Sequence, residues 1–428
     1  MSMGNKYLEV SIIVVNHNGM KYLENCFSSL LEMDYPRELL EYILVDNGST
    51  DGSINYMEGK FPFVRILSNR ENIGFAEANN QGAKAARGKV LALLNNDMRV
   101  HPLWLKKLIE KFLHSSEDLV CVSSKILNYD GDKIDFIGGG FTPFGTSFQV
   151  DFGKVMEQID ANSEDLEKEL LFACGGAMAI KREIYLESGG FDGDYFAFLE
   201  DVDLGWRLRI MGYKVVYEPK SIVFHKHGGT SRKIPTHQLE FMFDQNRLRT
   251  IIKNTEDVYL PYFISMVMML GTNKTFNSSM NNLLEFCFCG SNIKEKFPGA
   301  KYSKQISISL GDKLGLMWRK KDLGMFWRWL IRKTNRWIKY ITGYELVPRK
   351  TLSFSAAFNS IIPELRSLIV KRREIQSKRK ISDLQIFPLF LMDQYPRQAI
   401  AQDSVFFIEK IMEFEKDIMK RNKVYFPE

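Results

Sequence analysis

Between Glu9 and Asp97 the chain alternates short apolar runs with longer stretches of helical character. The runs are VSIIVV (residues 10–15), YILV (42–45), VRIL (64–67) and VLALL (90–94). MKYLENCFSSLLEM follows the first and GFAEANNQGAKAARG the third, whereas only a turn-rich piece follows DNGSTDGS after the second. Runs that are apolar nearly throughout, rather than at alternate positions, predict strands buried on both faces. That means a parallel sheet covered by helices on either side, an open α/β arrangement.

Every run stops on a polar cluster: NHNG, DNGSTD, NRENIG and NND. One such cluster alone is a turn or a helix cap, because Asn, Asp, Ser and Gly favour those places. Four of them at the same edge predict a binding face, since open α/β sheets take their ligands beyond the carboxyl ends of the strands.

Farther along, LWLKKLIEKFLH predicts a helix, and a mixed region with the Gly-rich IGGGFTPFG runs to about residue 190. LLFACGGAMAIKREIYLESGGFD reads as a strand and a short helix, and FAFLEDVDLGWRLRIMGYKVVYEP as a helix ending at Gly212 with a strand behind it. In that helix positions 201, 204, 208 and 211 share a face, so Asp201 lines up with Leu204, Leu208 and Met211 and is expected to point inward, towards a cleft. A helix N-terminus favours its ionised form, which suits a general base. Asp203, four residues before Arg207, reads as half of a surface ion pair.

Past residue 255 strand-like runs give out. VYLPYFISMVMMLG (258–271) is short for a membrane span and contains Pro261, so a buried or interfacial helix is expected. In the segment 318–340, Arg328, Arg332, Arg336 and Lys339 fall on one side of a helix and Phe326, Leu330, Trp337 and Ile341 on another, the pattern of a helix in a membrane interface. KRREIQSKRK (371–380) adds a second basic cluster. The chain is thus expected to divide into an α/β unit, residues 1–255, and a mainly helical, basic region, 256–428, that associates with membrane.

Composition sharpens this. Of 428 residues 45% are apolar and 26% charged, which excludes disorder and a polytopic membrane protein. The net charge of +6 hides a balance of −6 up to Thr255 and +12 beyond it. An anionic partner is implied for the second part, a membrane surface rather than nucleic acid, because no nucleic-acid motif accompanies the basic residues. Five cysteines make neither a disulfide framework nor a four-ligand zinc site. MSMGNKYLEV has no apolar signal core, so a cytoplasmic location at the inner face of the membrane is expected.

Taken in order and spacing, VSIIVVNHNG, LVDNGSTDGS, NIGFAEANNQGAKAARG, LLNND, GGFDGDYFAFLEDVDLGWRLRIMGYKVVYEP and VFHKHGG resemble the catalytic domain of glycosyltransferase family 2, over about residues 8–250. The NxD form of the fourth stretch is similar to bacterial rhamnosyltransferases and related cell-surface glycan enzymes. The resemblance implies a GT-A-type nucleotide-sugar-binding fold with a mostly parallel central sheet, and inverting transfer from a dTDP- or UDP-sugar to a glycan or polyprenyl-linked hydroxyl. It places the donor on Val15, Asn16, His17, Asp46, Gly48, Asn72, Gly74, Asn95, Asn96 and Asp97, with Asp46 on the pyrimidine and His17 beside the base. It assigns a divalent cation, Mn²⁺ or Mg²⁺, to Asp97 and His225, with His227 as fallback, and makes Glu200 and Asp201 the catalytic pair, Asp201 being the base. Asn95 stands where the family often has a first Asp. The chemistry agrees: a departing diphosphate gains negative charge, and Asp97 is a hard oxygen ligand for a cation that would hold it. A nucleotidyltransferase would share the nucleotide site but leave Glu200 and Asp201 without a purpose, and a non-catalytic sugar-binding relative would not need Asp97, Asp201 and His225 together.

Overall fold

The four apolar runs are strands β1 (Val10–Asn16), β2 (Leu40–Asn47), β3 (Arg65–Asn69) and β4 (Val90–Asn95), parallel to one another in the order β3-β2-β1-β4. The computed structural model describes residues 7–156, 168–226, 234–281, 286–289 and 345–390. Ile12, Ile13, Val14, Ile43, Leu44, Val45, Leu91, Ala92 and Leu93 are all buried, as continuous apolar runs require. Register brings the strand ends level: Val15 lies opposite Val45 and Asn95, and Asn16 opposite Asp46.

Helices α1 (Met20–Leu31), α2 (Ser53–Lys60) and α3 (Phe75–Ala85) connect these strands. The piece read as only turn-rich contains α2. Its Ser, Asn and Gly are poor helix formers, but the Asp51 carboxylate accepts from Ser53 N at 3.1 Å and Met57 is completely buried. Local capping and one buried contact outweigh propensity.

The chain continues through β5 (Met98–Val100), α4 (Trp104–His114), β6 (Leu119–Asn128), β7 (Ile134–Phe136), β8 (Gly139–Phe141), β9 (Ser147–Gln149), β10 (Lys168–Glu169), β11 (Ala177–Lys181), α5 (Arg182–Glu187), α6 (Glu200–Ile210) and β12 (Lys214–His225). Antiparallel β11 joins β4 to β6, β12 runs parallel to β6, β5 and β10 pair with β12, and β7 pairs with β6. The result, among the described residues, is one ten-stranded sheet whose longest pairings are parallel, with the Gly-rich segment forming a separate β8–β9 hairpin. This is the expected α/β class.

Among the described residues that follow are the long helices α7 (Thr236–Asn254), α8 (Leu260–Asn281) and α9 (Arg349–Ser377) and a short helix, Asp383–Ile386. The expected helix around 258–271 is α8, and among the described residues no helix is long and apolar enough to cross a membrane. The segment 318–340 lies outside the described residues.

The basic cluster 371–380 departs from expectation, because most of it faces the protein. Lys371 pairs with Asp192 and Asp194, Arg372 donates to the carbonyls of Ile252 and Thr255, Gln376 to those of Lys253 and Asn254, and Arg379 to Asn254 O and Asp383. Four carbonyls at the end of α7 need donors once the helix stops, and α9 supplies them. Arg249 of α7 also forms a two-pronged pair with Glu364 of α9.

Candidate functional site

At the level strand ends, side chains interlock. Asn16 is fully buried, and its amide donates to Asp46 Oδ2 (3.0 Å) and Ser49 Oγ (3.1 Å), while its oxygen accepts from Asn96 Nδ2 (2.7 Å). Asp46 is also fully buried and accepts from Ser49 N on its other oxygen. It therefore braces the β1 and β2 ends against each other and does not face solvent. Asn47 ties the β2 end to the loop after β3, donating to Asn72 Oδ1 (2.8 Å) and Gly74 O (3.1 Å). His17 is half-buried with Nδ1 on Asn47 O (2.9 Å), Val15 is half-buried beside Asn95, and Gly48 turns away from β2 against Glu71. Gly74 has φ +90°, and a Cβ there would sit 2.7 Å from Phe196 O; the amide of the next residue, Phe75, donates to that oxygen at 2.6 Å. The start of α3 is thereby fastened to the segment that leads into α6.

Asn96 and Asp97 form the turn between β4 and β5. β5 then pairs antiparallel with the end of β12, setting His225 opposite Met98, and Lys226 N donates to Asp97 O at 3.0 Å. His225 Nε2 consequently stands 3.4 Å from Asp97 Oδ1, both side chains partly exposed. The other ring nitrogen, Nδ1, meets Asp135 on β7, reached because β7 flanks β6 and β6 flanks β12. Burial opposes a charge on the ring, but the hydrogen bonds and charges of Asp135 and Asp97 outweigh it and raise the His225 pKa to about 9. A carboxylate oxygen and an imidazole nitrogen converging, with a further carboxylate orienting the imidazole, fit a divalent cation such as Mn²⁺ or Mg²⁺. Among the described residues no third His, Cys, Asp or Glu completes the set, so a cation here would rely on Asp97 and His225 for its protein ligands. His227 lies outside the described residues.

The start of α6 is tied to the β4 end through Gly175 and Gly176. Asp201 Oδ2 accepts from Gly175 N at 3.0 Å and Oδ1 from Val202 N at 2.8 Å. The adjacent Gly176 receives the amide of Asn95 on its carbonyl at 2.8 Å, and a Cβ at 176 would lie 2.7 Å from Asn95 Nδ2. Gly175 and Gly176 thus bridge the carboxylate of α6 to the β4 end, and a side chain at 176 would displace that of Asn95. Asp201 and Glu200 line a cleft of about 370 Å³ whose other walls include Phe136, Phe148, Phe172, Phe198 and Phe243. Glu200 is buried with Oε2 lacking a hydrogen-bond partner; burial and the charge of Asp201 raise its pKa to about 8. Burial raises the Asp201 pKa as well, against the amides that favour its ionised form.

Two non-glycine residues before α6, Phe198 (φ 73°) and Leu199 (φ 66°), occupy the left-handed region. Such backbone costs on the order of 1–3 kcal/mol per residue and persists only where surroundings hold it. Here Asn246 of α7 donates to the carbonyls of Ala197 (2.9 Å) and Phe198 (2.8 Å), and Phe198 stacks on Phe243.

Asp203 corrects the expected surface ion pair. It does meet Arg207 at 2.9 Å, but it is fully buried, and Lys253 Nζ (2.9 Å) and Asn254 Nδ2 (3.0 Å) from α7 bind its other oxygen. Lys253, itself buried, also pairs with Asp192. The spacing to Arg207 was legible; the partners from another helix were not. Asp135, Gly175, Gly176 and Asn246 were likewise missed. The Gly-Gly pair was the available signal, whereas nothing local distinguishes Asp135 or Asn246.

A family model described as "Glycosyl transferase family 2" matches residues 11–188. An uncharacterized glycosyltransferase of Haemophilus influenzae is 22% identical over 234 residues, spanning 54% of this chain and 69% of that protein. An N-acetylglucosaminyl-diphospho-decaprenol L-rhamnosyltransferase of Mycobacterium tuberculosis is 25% identical over 257 residues, 53% of this chain and 79% of that protein. Among solved structures, GalNAc-T7 with UDP, GalNAc and Mn²⁺ superposes over 63% of this chain and 51% of its own, at 19% identity and a TM-score of 0.48. Through the matched segment, which holds all four strand-end clusters and the Gly175–Gly176 bridge, the chain is similar to glycosyltransferase family 2, and the relatives it matches support a glycosyltransferase.

Proposed function

We propose that the protein transfers a sugar, with inversion, from a nucleoside-diphosphate sugar to a hydroxyl of a glycan or lipid-linked acceptor in bacterial cell-surface polysaccharide synthesis. The observation that carries this reading is the bridge of Gly175 and Gly176, which joins a candidate base, Asp201, to the strand end bearing Asp97. Asp97 and His225 would hold the cation, which when bound offsets the charge gathering on the departing diphosphate. Val15, Asn16, His17, Asp46, Gly48, Asn72, Gly74, Asn95 and Asn96 form the donor side, Asn16, Asp46 and Gly48 shaping the face from beneath. Asp201 takes the proton from the acceptor hydroxyl as its oxygen attacks the anomeric carbon. Glu200, held neutral in the aromatic cleft, is a hydrogen-bond donor to the incoming sugar. The donor is a dTDP- or UDP-sugar, with dTDP-rhamnose the first choice.

In this reading residues up to 255 carry the chemistry, and the basic remainder supports α6 and α7 and brings the enzyme to the cytoplasmic face of the membrane. The balance of +12 past residue 255 supports that contact.

Hydrolysis of a panel of UDP-, dTDP- and GDP-sugars tests the activity and identifies the donor. Calorimetry with the matching nucleoside diphosphate and Mn²⁺ tests the site: Asp97→Ala should lose the part of the affinity that depends on the metal. An unchanged metal-dependent affinity would remove Asp97 from it.

A further inference from the structure

Helix α9 is apolar on two sides. Ala357, Ile361 and Leu368 are buried, and α9 packs along α7 and α8. Yet Phe358, Ile362, Leu365, Ile369 and Val370 are between 38% and 60% exposed. Positions 358, 362, 365 and 369 repeat at four, three and four residues, which places them in one row along the helix. From Phe358 to Val370 that row is about 18 Å long at 1.5 Å per residue.

Arg366 and Arg373, both exposed, fall beside this row, each four residues after one of its isoleucines. The carboxylates of α9 are elsewhere: Glu364 pairs with Arg249, and Glu374 with Lys378. On α9 itself the outward face therefore combines large apolar side chains with two guanidinium groups and no acid, and the exposed Asp257 beside it is already paired with Arg372. A second copy of the chain paired through the same face would find no carboxylate of α9 to answer those arginines. An anionic bilayer answers both features, with apolar side chains entering the acyl boundary and Arg stems reaching back to the headgroups.

We propose that the outward face of α9, from Phe358 to Arg373, rests on the surface of an anionic membrane. The proposal deepens the membrane contact described above and rests on it. It assigns contact to the side of α9 turned away from α7, where Arg373 is a member of the basic cluster 371–380 that does not dock on α7, and orients the sheet by way of α7 and α9 relative to the lipid.

The test is co-sedimentation of the full chain with vesicles of phosphatidylglycerol and phosphatidylcholine, against phosphatidylcholine alone. The parent protein should bind the anionic vesicles, and the double variant Ile362→Asp/Ile369→Asp should lose most of that binding. Arg366→Gln/Arg373→Gln should weaken it about 30-fold, from about fivefold for each basic residue near an anionic surface. Both variants should keep donor hydrolysis in solution and the thermal midpoint of the parent, as substitutions of exposed side chains do. Binding by the parent with both variants unimpaired would sink this face while leaving membrane contact through other residues standing. No binding by the parent would end both readings. A fall in the thermal midpoint of the Asp variant, or its conversion of an oligomer to a monomer in sedimentation velocity with vesicle binding intact, would show instead that protein covers the face.

Discussion

Asp201 and Asp203 lie on the same helix, two residues apart, and their environments separate their roles. Asp201 is held by two amides at the rim of a cleft, whereas Asp203 is enclosed by Arg207, Lys253 and Asn254. Asp201→Asn should reduce turnover by about 10²–10⁴, the usual worth of a general base, with donor affinity retained. Asp203→Asn should instead destabilise the fold, by about 3–5 kcal/mol, because the buried Arg207 loses its carboxylate and Lys253 keeps only Asp192. Turnover, donor affinity and urea unfolding of the two variants distinguish the assignments; an inactive but fully stable Asp203→Asn protein would reverse them. Glu200 gives a pH signature. Between its ordinary value of 4.5 and about 8 the folded chain keeps a proton that the unfolded chain has released. Stability on its account is therefore greatest at the acid end and falls as pH rises towards 8. Glu200→Gln cannot release that proton, so its thermal midpoint should gain on the parent's steadily from pH 5 to pH 8. Parallel midpoints over that range would mean that Glu200 titrates as an ordinary carboxylate.

Strain and support are divided between elements. The left-handed Phe198 and Leu199 bend the chain so that Glu200 and Asp201 open α6 at the cleft, and α7 holds the bend through Asn246. With Asn246→Ala two carbonyls lose their donors and the bend can relax. A displacement of about 1 Å in a catalytic group can cost on the order of 10²-fold in rate. Turnover should fall by that order, while the nucleoside diphosphate, which the proposed function places at the strand ends, should keep its affinity. Steady-state kinetics beside calorimetry would check this, and an unchanged turnover number would mean that Phe198–Phe243 stacking alone maintains the bend.

Over the whole molecule, α9 is a structural member of the α/β unit. Its Arg372 and Gln376, with Arg379 just past its end, satisfy the carbonyls that end α7, and its Glu364 and Lys371 pair with Arg249 and with Asp192 and Asp194. Removing residues 349–428 would leave buried carbonyls without donors and Arg249 without its partner, each such loss costing about 1–3 kcal/mol. Against a total stability of roughly 5–15 kcal/mol for a domain, the truncated chain should fail to accumulate as folded, soluble protein, as judged by yield and circular dichroism. A folded truncation with native donor affinity would make α9 a dispensable appendage.

The sequence by itself determined the strands of the parallel half of the sheet, their polar ends and the resemblance to a family, because each is written in a continuous window: an apolar run, then the residues that stop it. A parallel sheet aligns those ends, so Asn16, Asp46, Asn72 and Asp97 could be assigned to one edge without coordinates. The helical phase of Asp201 was local too. Only the tertiary structure decided which groups meet. Pairing of β5 with β12 sets His225 against Asp97, and the place of β7 in the sheet adds Asp135 behind it. Asp203 reads as a surface charge on its own helix, yet α7 buries it beneath Lys253; the cluster 371–380 reads as a membrane-facing face, yet carbonyls and carboxylates of the α/β unit claim most of it. Charge and helical period are properties of a segment, whereas burial depends on what packs against it, and here the covering elements come from distant parts of the chain.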